Sequence, residues 1–384
     1  MNLIAYSDLT WPEVAVLPRH WPIIIPLGLE QFDTNRVAQS LLVDDLIILP
    51  GVPYGFQQPG RKTQERLAVR PGLFRRVLLG IRRELSAQGF QQIYFIHGGL
   101  DSRLKTRGLN LLFCPFEEQI NQDWPPDISR RVVVISTGHT EQHGHHLPLS
   151  TDSLIVQALA DHLAKLAPEE VFCLPVWPYG VSTHTREFPA TLNLGGRVFE
   201  DFFLAIVDCL VDSGAQMIYF SNGHGGNHSF LVNVVKLVGE RYPQLFIATE
   251  WLHTTGSELG RYRQTSLGGM GHGGELETSY ILHLRPDLVH MDRATCEMDF
   301  ISTSNYYMDW IEGGSLIANP PWSDDTQSGI YGDATVATAE KGRLWLQAAV
   351  EQKREIIREI IQQHTRREQA RAARRMQSSK SLLD

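Results

Sequence analysis

Between residues 130 and 250, short apolar runs alternate with longer stretches whose apolar residues recur at helical spacing, and no other feature narrows the fold as much. Val132-Val-Val-Ile135, Val171–Pro175, Met217-Ile-Tyr-Phe220 and Leu245–Glu250 read as strands, with helices over 153–166, 197–212 and 228–240. Two strands joined through a helix run parallel, because the helix must cross back over the sheet. The expected fold is therefore α/β, a three-layer sandwich with a mostly parallel sheet. In Gly196–Leu210 the Phe residues fall on the apolar stripe and read as core.

Open parallel sheets place ligands at the carboxyl ends of their strands, and here those positions carry unusual loops. Ser136–Asp152 follows the first run and contains Glu141, His143, His145, His146 and Asp152. Asn222-Gly-His-Gly-Gly-Asn227 follows the third run, and Gly271-His-Gly-Gly-Glu-Leu-Glu-Thr-Ser279 leads into the apolar Tyr280-Ile-Leu. Carboxylate oxygen with imidazole nitrogen is the donor set that suits zinc, manganese or iron(II). A His-rich solvated turn is the plainer reading of the first loop; the other two Gly/His/acid loops favour a shared crevice.

The rest of the composition excludes several classes. A chain of 384 residues, 42% hydrophobic, suffices for one large or two ordinary domains, and a formal charge of -8 leaves no basic footprint for nucleic acid. No run of 18 apolar residues is present, and the N-terminus lacks a basic region followed by an apolar core, so no membrane span is expected and a cytoplasmic location is. Cys114, Cys173, Cys209 and Cys296 are widely spaced and read as small structural residues.

The chain also resembles itself. Pro22–Gln31 matches Val133–Gln142, Leu46–Gly55 matches Val171–Gly180, and Gly89–Phe95 matches Gly214–Phe220, in the same order. Residues 1–112 therefore read as a degenerate α/β half-domain, 113–130 as a connector, 131–350 as the catalytic domain and 351–384 as a C-terminal helix with a basic tail. The first copy has Phe32 where the second has His143, Thr34 where it has Asp152, and only His97-Gly-Gly99 of the second loop, so it is expected to bind no metal. It would extend or cap the main sheet, or serve assembly. Residues 285–330, rich in Pro, Asp and Ser, are either a lid or ornament.

Taken together, Glu141-Gln-His-Gly-His-His-Leu-Pro-Leu-Ser-Thr-Asp152, Asn222–Asn227, His272 with Glu277-Thr-Ser, and Gly332-Asp-Ala-Thr335 resemble the motifs of the creatininase family of metal-dependent amidohydrolases, over roughly residues 120–350. The resemblance implies a metal-activated water that cleaves a C–N bond of a small amide, formamide or cyclic amide. It implies two divalent ions (zinc, manganese or iron), with Glu141 and His224 on one, His143 on the other and Asp152 bridging. It also implies His272 and Glu277 as a catalytic His–acid pair, His146, Asn222 and Trp251 as substrate contacts, and a homo-oligomer. Other branches act on a peptide or a cyclic polyol ketone, and a non-catalytic binding or assembly protein is the remaining alternative. Creatininase has a ligating Glu where this chain has Gly226; Glu277, Glu275, water or substrate could take its place. Ala190 replaces a usual Gly and His145 a usual Pro. Anionic or polyol substrates would call for donors such as Arg186 or Arg261.

Overall fold

The protein is seen in a computed structural model that describes residues 2–28, 32–57, 66–100, 104–114, 124–252, 257–300, 302–310 and 314–381. Two parallel sheets dominate it. The first, in order β1-β3-β2-β4-β5, comprises β1 (Asn2–Ala5), β2 (Ile23–Pro26), β3 (Asp45–Ile48), β4 (Ile93–His97) and β5 (Leu111–Phe113). The second, in order β7-β6-β8-β9, comprises β6 (Val132–Thr137), β7 (Val171–Cys173), β8 (Met217–Asn222) and β9 (Phe246–Thr249). The helices expected from periodicity are α4 (Thr151–Leu166), α5 (Gly196–Asp212) and α6 (His228–Arg241), within two residues of their expected ends.

The side-chain alternation of β6 shows why its apolar run is continuous. Val133 and Ile135 face a cluster containing Phe199, Phe202 and Phe203 of α5, whereas Val132 and Val134 face Ile357 and Ile360. A strand covered on both faces has no polar side to present. The outer cover is α9 (Ala339–Ser381), so residues expected to begin a separate C-terminal segment at 351 lie within one helix, and its stretch as far as Ile360 belongs to the core.

On the other side, α3 (Pro71–Ala87) packs against α5, and Phe74, Val77, Leu78 and Ile81 of α3 share one apolar cluster with α5 and with strands of both sheets. The far face of the first sheet closes on α2 (Thr34–Leu41) through Ile24, Leu46, Ile96, Val37 and Ala38. Among the described residues no strand of the first sheet pairs with the second; the N-terminal unit is stacked on the main unit through shared middle helices. β2, β3, β4 and β5 are arranged among themselves as β6, β7, β8 and β9 are. The pair Glu30-Gln31 from the internal match, and much of the connector, lie outside the described residues.

Beneath β9, Lys353 of α9 is fully buried with its Nζ 2.5 Å from Glu250 Oε2. Removing one member of such a pair strands the other charge. Lys353→Ala is therefore expected to lower unfolding free energy by about 3 kcal/mol, read as a shifted urea midpoint; an unchanged midpoint would show that Glu250 is solvated or neutral.

Candidate metal centre

The loops after β6 and β8 and the first turns of α4 and α8 (Glu275–Leu284) meet above the carboxyl edge of the second sheet. The β6 loop folds back on itself through Glu141 N–H to Leu149 O, 3.1 Å, and delivers Asp152 into the first turn of α4, where a helix favours a negative charge. Glu277 occupies the first turn of α8, its Oε2 accepting from Gly273 N–H at 2.7 Å and its Oε1 from Trp310 Nε1–H at 3.2 Å.

The central geometry is one carboxylate between two imidazoles. His143 Nε2 is 3.1 Å from Asp152 Oδ1, and His224 Nδ1 is 3.1 Å from Asp152 Oδ2 and 2.9 Å from Glu141 Oε2. In each histidine the other ring nitrogen is spent on a backbone carbonyl: His143 Nδ1 on Glu141 O at 3.1 Å, His224 Nε2 on Val181 O at 3.0 Å. A nitrogen whose partner donates to a carbonyl presents a lone pair, the tautomer that metal-ligating histidines adopt. The remaining ring nitrogens face carboxylate oxygens, and Glu141 Oε2 and Asp152 Oδ2 are buried without a hydrogen-bond partner. Such a set is stable only around positive charge. Three fully buried groups bring their donor atoms within 4.8 Å of one another: His139, Glu141 and His224; Glu141, His143 and His272; His143, Asp152 and Glu277. The donor set fits divalent transition ions.

Without such ions, protons carry that charge. Burial works to raise Glu141 and Asp152, but His224 and His272 hold Glu141 well below the carboxylate range and His143 and His224 lower Asp152. Against burial, Asp152, Glu277 and Glu141 raise His143 to about 9, and Glu141 and Asp152 raise His224 well above its ordinary value. Burial, helped by Asp152, lifts Glu277 to about 7 against the pull of His143. His139 and His272 fall to about 3 through burial and neighbouring imidazoles.

The residues singled out in the sequence fall in different places. Glu141, His143, Asp152 and His224 converge as described. His272 and Glu277 lie near the same point but make no hydrogen bond to each other: His272 Nε2 donates to Gln142 O at 2.7 Å, and Glu277 Oε2 lies 3.7 Å from His143 Nε2. Glu275 is engaged elsewhere, by Gln264 N–H, Thr265 and Lys341 Nζ.

A cavity of about 290 Å³ opens over Asp152, His224, His272 and Glu277, walled by Trp251, Trp310, Trp322, Tyr306 and Tyr307. Trp251 thus faces it. His146 does not line it and is bonded to Thr278 Oγ1 at 2.9 Å; Asn222 does not line it and donates to Trp251 O at 2.8 Å. Arg186 lies on a different cleft, and Arg261 is an exposed partner of Glu258. Sequence reasoning passed over His184, whose Nε2 is 3.8 Å from Glu141 Oε1 and whose ring lies tilted against Trp322, and over Ser182, which donates to Glu141 Oε1 at 2.6 Å. Their loop follows β7, also at a carboxyl end, and that position was the available signal. The segment 285–330 supplies much of the cavity wall.

The family model described as creatininase, creatinine amidohydrolase, matches residues 124–357. The chain belongs to the creatininase family. The mycofactocin precursor peptide peptidase of Mycobacterium tuberculosis (strain CDC 1551 / Oshkosh) is 31% identical over 233 residues, 57% of this chain and 81% of that protein. The 3-dehydro-scyllo-inosose hydrolase of Thermotoga maritima is 24% identical over 250 residues, 60% and 78% of the two chains, and the creatinine amidohydrolase of Pseudomonas putida is 29% identical over 177 residues, 42% and 67%. A solved creatininase titled as the manganese form and a glutamate-to-glutamine mutant titled as a Zn-Zn type each superpose with a TM-score of 0.50 at 26% identity. They cover 60% of this chain and 91% and 90% of theirs. This creatininase-family chain is thus a hydrolase whose buried His and acid groups fit a metal site. No helix among its described residues is long and apolar enough to cross a membrane.

Within this family member, Gly226 has no room for a side chain: a Cβ there would stand 2.1 Å from Val181 O and 2.5 Å from His224 Nε2. Gly226→Glu is therefore expected to weaken metal binding by about 10-fold or more, by breaking the bond that orients His224; tighter binding in a titration of the metal-free protein would refute this. The raised values of His143 and His224 mean that their stabilisation is complete below about pH 6.5 and is lost as pH rises through their folded-state values, about 9 for His143. The melting temperature of metal-free protein should fall across that window, and saturating manganese or zinc should flatten the profile.

Proposed function

We propose that this chain hydrolyses a C–N bond of a small, uncharged amide or cyclic amide at a centre holding two divalent ions. The observation that carries the reading is the Asp152 carboxylate, with His143 Nε2 and His224 Nδ1 facing its opposite oxygens at 3.1 Å. In this assignment Glu141, Asp152 and His224 would hold one ion and His143, Asp152 and Glu277 the other, so that Glu277 would supply the donor that Gly226 does not. When bound, such ions polarise a carbonyl oxygen and acidify water towards neutral pH.

The remaining residues orient and move protons. Ser182 and Thr185 donate towards Glu141 Oε1, fixing the face its other oxygen presents. His272, anchored through Nε2–H on Gln142 O, presents Nδ1 to take a proton from the attacking water and hand it to the leaving nitrogen as the C–N bond breaks. Trp310 holds Glu277 and, with Trp251 and Trp322, keeps bulk water from the reacting bond.

The lining supports the substrate class. Among the described residues no Arg or Lys faces the cavity, and its broad walls are aromatic, which disfavours anionic ligands and leaves few donors for a polyol ketone. A peptide bond is the second reading, favoured by Leu316 and Ile317, 58% and 90% exposed at the cavity, which continue its apolar lining outward. The matching strand arrangement of the two sheets supports reading residues 1–112 as a degenerate copy of the front of the main unit, one whose metal-site chemistry has been lost.

Metal analysis of wild type beside Asp152→Asn tests the assignment. About two ions per chain falling to one or none in the variant, with loss of turnover on neutral amides, is the expected result. One ion in both proteins would rule out the bridge.

A further inference from the structure

The N-terminal unit reaches the metal centre through one residue in an unusual backbone state. Ala190 has φ +80°, a left-handed conformation that a residue with a Cβ rarely holds, and it is fully buried. Among the described residues, no backbone group of the main unit holds its N–H or C=O. Gln88, just beyond α3, does: Gln88 Oε1 accepts from Ala190 N–H at 2.9 Å and Gln88 Nε2 donates to Thr191 O at 3.1 Å. The hydroxyl of Tyr6 lies 3.2 Å from Ala190 O and 3.2 Å from Gln88 Oε1, closing the clamp.

The two residues after Ala190 touch the site directly. Gln142 N–H donates to Thr191 Oγ1 at 3.1 Å, and Leu192 N–H to Thr140 O at 3.1 Å, so both peptides flanking Glu141 are held by 191–192. Thr191 Oγ1 is also 3.3 Å from Thr185 Oγ1, which is 3.2 Å from Glu141 Oε1. The N-terminal unit also fixes the other end of the loop: Leu149 N–H donates to Leu9 O and Ser150 N–H to Ser7 O, both at 2.9 Å, the second of them two residues before Asp152.

We infer that Tyr6 and Gln88 are positioning residues for the metal centre, holding Ala190 in its left-handed conformation so that Thr191 and Leu192 fix the peptides on both sides of Glu141. The N-terminal unit thereby supplies no ligand yet sets the affinity of the site. The inference rests on the proposed metal reading.

Its test is a manganese titration of the metal-free full chain, followed by EPR of the free ion, on wild type, Gln88→Ala, Tyr6→Phe, Ala190→Gly and the double variant Gln88→Ala with Ala190→Gly. Gln88→Ala should weaken binding by about 10–100-fold, the range for residues that orient ligands, and Tyr6→Phe by less. Glycine adopts φ +80° without a Cβ penalty, so Ala190→Gly should bind as wild type and should restore most of the affinity lost in Gln88→Ala. A role of Gln88 in packing alone would not be rescued at residue 190. Weakened binding without rescue, or unchanged binding in Gln88→Ala, overturns the inference. If Gln88→Ala does not fold, unchanged affinity in Tyr6→Phe overturns it. Failure of wild type itself to bind manganese or zinc would instead defeat the metal reading.

Discussion

Three carboxylates, Glu141, Asp152 and Glu277, are buried close to one another beside histidines whose ring nitrogens also point inward, and a chain can hold such a cluster only around compensating positive charge. Much of the nearby architecture answers that constraint. Asp152 and Glu277 enter first turns of helices, where unpaired N–H groups favour an anion. Glu141 receives hydroxyls from a neighbouring loop, and each of the two central histidines gives away one ring proton to a backbone carbonyl. Glycine at 226 follows from the same demand, since the carbonyl that orients His224 occupies the space of its Cβ.

The main sheet was legible because its signal is local and repeated: four apolar runs separated by helical periodicity leave a parallel α/β arrangement as the consistent solution. Glu141, His143 and His224 could be singled out for a related reason, since each lies in a loop at a strand's carboxyl end, and Asp152 because it stands where the first of those loops enters α4. What escaped was decided by direction in space. Glu277 follows His272 by five residues, but α8 turns its carboxylate towards His143 while the His272 ring is drawn back to Gln142. His184 and Trp322 are far apart in sequence and meet only because the β7 loop and the segment after residue 285 close over one point. Arg186 and Arg261 lie near the right loops in sequence and face other surfaces.

The cavity is shaped mainly by residues outside the ligand loops. Trp251 and Trp310 meet edge to face at 5.8 Å, and Trp322 contacts the rings of His184 and His272 at 4.3 and 4.9 Å. The two kinds of group come largely from different stretches of chain: acid and imidazole from the loops and helix starts at the sheet edge, aromatic area from Trp251 after β9 and from the long irregular segment. That separation suits a family whose relatives are named for peptide, inosose and creatinine hydrolysis.

The middle layer has a consequence for how such a chain can change over generations. Because α3 and α5 belong to one cluster, residue 131 is no seam at which a gene could be cut: a transplanted main unit would carry the uncovered Phe-rich flank of α5 with it. Substitutions on the two helices are also coupled. A side chain at Gly80 of α3 would bring its Cβ to 3.0 Å from Leu194 Cδ1, at the approach to α5, so growth on one unit requires retreat on the other. The two units inherit one shared interior, and they drift together.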